Sequence, residues 1–92
     1  MKAVSVVVTG NVQGVYFRDT CRQVARRHSV RGWVRNREDG SVEAVFAGSD
    51  DAVDALVDWS RIGPDAAVVE SVVTEPLVQF DQSDLPAEFE VR

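Results

Sequence analysis

Residues Ala3-Val4-Ser5-Val6-Val7-Val8-Thr9 are β-branched and almost wholly apolar, which predicts a strand covered on at least one face. Gly10-Asn11-Val12-Gln13-Gly14 interrupts it, and from Phe17 the pattern changes period. Phe17, Cys21, Val24, Ala25 and His28 recur at helical spacing, so they predict one apolar face of an amphipathic helix. Arg18, Arg22, Arg26 and Arg27 fall off that face. Two short strands, Val30 to Asn36 and Val42 to Ala47, flank Arg37-Glu38-Asp39-Gly40-Ser41, a hairpin signal. Pairing Val34 with Ala44 and Asn36 with Val42 keeps the apolar positions together. That register requires a three-residue loop, Glu38-Asp39-Gly40, with Gly40 in the left-handed bulge position.

Ser49 followed by Asp50 and Asp51 predicts the capped start of a second helix, and Gly63-Pro64 its end. Val53, Leu56, Val57 and Ser60 are expected to face inward, with Ala52 and Trp59 near the edge. Ala66 to Thr74 reads as a fourth strand whose irregular alternation suggests a bulge. Gln79 to Glu88, containing Pro86, reads as a loop, and Phe89 and Val91 alternate with charged residues in a short last strand. No internal repeat or low-complexity tract is present.

The order β-α-β-β-α-β plus a short terminal strand defines an α+β class, the ferredoxin-like split βαβ arrangement. It implies an antiparallel sheet with two helices on one face. A right-handed crossover makes the first and second strands parallel, with the third between them. Their C-terminal ends then share one edge of the sheet, about 10 Å apart at ~4.8 Å per strand. The Gly-rich loop and Asn36 both lie at that edge.

Ninety-two residues fit a single domain, 1–92, and 45% hydrophobic with 27% charged residues is a globular composition. No apolar run approaches the ~20 residues of a membrane span, and no stretch has the apolar core of a secretory signal. The expectation is a cytoplasmic protein with no membrane partner. One cysteine and one histidine exclude a disulfide within the chain and a structural zinc cage.

The net charge of -5 argues against broad nucleic-acid binding, but its distribution is uneven. Residues 1 to 37 carry eight basic residues against Asp19 alone, 8 - 1 = +7, and the remainder 2 - 14 = -12. Such asymmetry suits an anion site confined to the N-terminal part.

Gly14-Val15-Tyr16-Phe17-Arg18 enters the first helix without Ser, Thr, Asp or Asn at an N-cap position, which leaves up to four amide donors unpaired. An arginine in the first turn has the wrong sign for the helix dipole. Both features make sense together if a phosphate dianion sits there, because free amides and a forked guanidinium stabilise it. Taken alone, the same features also fit a surface arginine at an ordinary turn. Asn36 ends its strand either as a turn residue or as a side chain facing that anion.

Gly10-Asn11-Val12-Gln13-Gly14-Val15-Tyr16-Phe17-Arg18 resembles the first signature of the acylphosphatase family. Gly32-Trp33-Val34-Arg35-Asn36, followed by Asp39-Gly40-Ser41-Val42-Glu43 and Gly48, resembles the second. The similarity extends through Gly63-Pro64 to Phe89-Glu90-Val91. It implies hydrolysis of the carboxyl-phosphate bond of acyl phosphates to carboxylate and inorganic phosphate without a cofactor; no metal site is expected, and the chain is expected to act as a monomer. By motif position, Arg18 would bind phosphate and Asn36 would orient the attacking water. The amides of Gln13, Gly14, Val15, Tyr16 and Phe17 would complete the cradle. Asn11 stands where a basic residue is frequent in the family, and Ala47 where Glu is common.

Other readings carry less. Cys21 and Arg27 have the spacing of a cysteine-phosphatase loop, but the stretch has no glycine and reads as helix interior. His28 suits the dipole at a helix C-terminus. Asp50, Asp51, Asp54 and Asp58 read as a capped start and a solvated face rather than a metal site. No strand carries the aromatic pair with which ferredoxin-like sheets stack RNA bases. A phosphate-binding module without turnover is the remaining alternative class.

Overall fold

A computed structural model describes residues 1–92. Its elements are β1 (Lys2–Asn11), α1 (Phe17–Arg27), β2 (Arg31–Asn36), β3 (Val42–Gly48), α2 (Asp50–Ser60), β4 (Val68–Pro76) and β5 (Glu90–Val91), with a short 3-10 turn at Gln82–Asp84. The sheet order is β4-β1-β3-β2-β5. Both β1 and β2 pair antiparallel with β3, so they run parallel to each other with β3 between, as the crossover rule requires.

Alternation places Val4, Val6 and Val8 of β1, Val34 of β2 and Val42, Ala44 and Phe46 of β3 on one face, all buried. Phe17, Cys21 and Ala25 of α1 and Val53 and Leu56 of α2 join them in a single core. The hairpin register is the expected one, with Val34 opposite Ala44 and Asn36 opposite Val42. Arg37 and Ser41 close the loop through a 2.8 Å backbone hydrogen bond. Gly40, at φ 92°, takes the left-handed conformation that makes the bulge possible. The Asp39 carboxylate accepts from the Ser41 hydroxyl (2.5 Å) and amide (2.9 Å). Those bonds, helped by Arg37, hold its pKa below the usual carboxylate value.

Four details depart from the sequence expectation. β1 continues through Gly10 and Asn11, because a bulge on β4 at Glu70 lets the pairing resume at Val69 and Val68. β4 accordingly runs Val68–Pro76 rather than Ala66 to Thr74, and most of it is exposed at the sheet edge. β5 joins β2 in parallel, with Trp33 opposite Glu90, so the sheet is mixed and only its four long strands are antiparallel. His28 is exposed, because α1 ends at Arg27 and the next residue no longer follows the helical period.

The second helix begins as expected: the Ser49 side chain accepts from the Ala52 amide at 3.3 Å. Trp59 reaches the first helix, its ring 5.0 Å from that of Phe17. Arg31 holds the C-terminal segment by donating to the carbonyls of Gln82, Leu85 and Pro86. No helix is long and apolar enough to cross a membrane.

Candidate active site

The loop from Val12 to Tyr16 turns the end of β1 into α1. Tyr16 occupies the N-cap with φ 64° and ψ 24°, and no side chain caps the helix. The first helical hydrogen bond runs from the Thr20 amide to the Tyr16 carbonyl (3.1 Å). The amides from Gln13 to Asp19 therefore have no acceptor within the chain. Gly14, at φ 74°, and Tyr16 are both left-handed, and such alternation in a loop points successive N–H groups to one side as an anion-binding nest.

The loop and the first turn of α1 border a cleft of about 500 Å³ lined by Val12, Gly14, Tyr16, Phe17, Arg18, Asp19, Arg22, Asn36 and Val91. The cleft unites the two expected site residues: Arg18 from the first turn of α1 and Asn36 from the end of β2 line the same space. The Arg18 guanidinium donates one long bond, from Nη1 to the backbone oxygen of Arg92 (3.3 Å), which leaves most of its fork free. Around the hairpin the Gln13 and Arg35 side chains donate and the Asp39 carboxylate accepts, none of them with Asn36, whose exposed carboxamide is left unpaired.

Of the expected cradle, Gly14, Tyr16 and Phe17 line the cleft, whereas Gln13 and Val15 do not. Val15 packs against the core. Gln13 turns its side chain to the hairpin, where Nε2 donates to the carbonyls of Arg37 (2.8 Å) and Ser41 (2.9 Å). Four lining residues escaped the sequence reading: Val12, Val91, Asp19 and Arg22. Asp19 and Arg22 stand in the same cleft and pair with each other at 2.6 Å, and Gln23 donates to the second Asp19 oxygen at 3.1 Å. Their i, i+3 spacing, with Arg22 one turn beyond Arg18, was the available signal.

The rival sites do not assemble. Cys21 is fully buried in the core, and burial pushes its thiol far above the ordinary value, so it is no thiolate nucleophile. Asp50, Asp51, Asp54 and Asp58 lie exposed on α2, and Asp54 binds Lys2 at 2.7 Å.

Fold and cleft together define a small α+β protein in which an arginine, an uncapped helix entry and an unpaired carboxamide share one cleft at the end of a split βαβ sheet. The sequence pattern of the acylphosphatase family matches residues 4–91, and the chain belongs to that family. It is 56% identical over 72 residues to an acylphosphatase of Thiobacillus denitrificans, a stretch covering 78% of this chain and 81% of the relative. The structure of an acylphosphatase from Coxiella burnetii superposes with a TM-score of 0.88 at 38% identity, over 99% of this chain and 92% of that one. An acylphosphatase from Bacillus subtilis gives 0.92 at 27% identity, over 100% and 99%.

Proposed function

We propose that the 92 residues act as one domain in which Arg18 and Asn36 carry out the reaction that names the family, hydrolysis of an acyl phosphate to carboxylate and inorganic phosphate. The observation that carries this assignment is the single cleft that brings Arg18, the uncapped helix entry and the unpaired Asn36 carboxamide together.

The phosphoryl oxygens lie on the amides of Gly14, Tyr16 and Phe17 and on the Arg18 fork, where donors without internal partners replace hydration at little reorganisation. Asn36 accepts a hydrogen bond from the attacking water and sets it on the side of phosphorus opposite the acyl oxygen. As the P–O bond to water forms, the P–O bond to the acyl group breaks, and the water proton passes to a phosphoryl oxygen. The leaving carboxylate is already a stable anion near neutral pH and needs no general acid. What the protein supplies is position and charge stabilisation. Asp19, the one carboxylate lining the cleft, is engaged by Arg22 and Gln23 and takes no proton in this scheme.

The reading takes the chain as a monomer in the cytoplasm, whose reducing conditions suit the free thiol of Cys21. Purified protein incubated with benzoyl phosphate, with and without EDTA, tests the reading. Hydrolysis is expected at the same rate in both. Binding without turnover would leave a phosphate-binding module, and activity lost with chelator and restored by Mg²⁺ would replace the mechanism.

A further inference from the structure

Tyr16 combines three features that packing does not explain. Its backbone is left-handed, at φ 64°, a conformation that bulky residues rarely adopt. Its side chain is 82% exposed, while the other six aromatic residues are buried or half-buried. It also lines the cleft, as does Val91, which is itself 40% exposed. A backbone outlier at a functional site, holding an aromatic ring in solvent, points to a ligand contact made outside the free protein.

The phosphoryl group accounts for only part of the cleft. A phosphoryl group held by the loop amides and Arg18 would leave its acyl substituent to meet the remaining lining, where Tyr16 and Val91 supply apolar surface. Of the polar groups of the cleft, Asp19 and Arg22 pair with each other, and the proposed reaction assigns Arg18 to phosphate and Asn36 to water.

We propose that the Tyr16 ring is the acyl-group platform and that it selects acyl phosphates whose acyl part is aromatic or otherwise broad and apolar. This rests on the functional reading above and deepens it. The left-handed backbone serves both ends of the substrate: it turns the Tyr16 amide into the cradle and places the ring over the leaving group. Ring-on-ring contact of this kind contributes roughly a tenfold preference.

The test compares kcat/KM for benzoyl phosphate and acetyl phosphate in wild type, Tyr16→Gly and Tyr16→Phe. Glycine adopts this backbone freely, so the loop keeps its course. The wild type is expected to favour benzoyl phosphate. Tyr16→Gly should lower the benzoyl-to-acetyl ratio about tenfold, mainly through KM for benzoyl phosphate, whatever change the two substrates share. Tyr16→Phe should keep the wild-type ratio. An unchanged ratio in Tyr16→Gly overturns the proposal, and so does an equal fall in Tyr16→Phe, which would assign selection to the hydroxyl. Failure of the wild type on both substrates would overturn the functional reading, and the platform with it.

Discussion

Gln13 Nε2 donates to the carbonyls of Arg37 and Ser41 at 2.8 and 2.9 Å, so one side chain ties the loop entering α1 to the hairpin turn that follows Asn36. The Ser41 carbonyl also closes the hairpin by accepting from the Arg37 amide. Loop and hairpin are thus held in one frame, on which the placement of Asn36 relative to the loop amides depends.

Removing that tie should cost more in rate than in stability. Both carbonyls keep a backbone donor in Gln13→Ala, Arg37 from the Gly40 amide at 3.2 Å and Ser41 from Arg37, so unfolding should shift by only about 1 kcal/mol. The kcat should fall roughly tenfold, because small misplacements of reacting groups are costly. Inhibition by inorganic phosphate should change little, since the loop amides and Arg18 remain. Kinetics and denaturant unfolding on one preparation check all three expectations.

Arg18→Lys separates charge from geometry. Lysine retains the positive charge but cannot offer two parallel donors to phosphate. The variant should bind inorganic phosphate at least about tenfold more weakly than wild type and turn over more slowly, yet exceed Arg18→Ala in both. Full rescue by lysine would mean that the site uses a point charge.

The contrast between Arg18 and Gln13 shows what could be read along the chain. The hairpin register was legible because Val34, Val42 and Ala44 alternate and Gly40 is the residue its turn requires. The uncapped helix was legible from the side chains missing before Phe17. Long-range geometry was not. The Gln13 bonds span 24 and 28 residues, and nothing local distinguishes that glutamine from a solvated one. The parallel direction of β5 is set by its docking beside β2 and not by its two residues. On β4, the Glu70 bulge and an exposed edge break the alternation from which its limits would be read.

Cys21 should be chemically silent in the native protein. Its thiol lies in the core with a pKa driven upward by burial, so between pH 7 and 9 it stays protonated and shielded. A disulfide reagent at pH 8 should modify it only as the protein unfolds. Cys21→Ser should retain turnover and lose about 1–3 kcal/mol of stability through a buried hydroxyl. Rapid modification of folded protein, with loss of activity in step, would contradict this.

The central claim divides the labour: Arg18 and the amides hold phosphate, and Asn36 holds water. The most direct measurement is the steady-state kinetics of folded Asn36→Ala with benzoyl phosphate, together with its inhibition constant for inorganic phosphate. Loss of one preorganised hydrogen-bonding group should lower kcat by ~100-fold or more, about 3 kcal/mol, with KM and phosphate inhibition close to wild type. A kcat near wild type, with KM and the phosphate inhibition constant rising together, would make Asn36 a phosphate ligand and contradict the assignment.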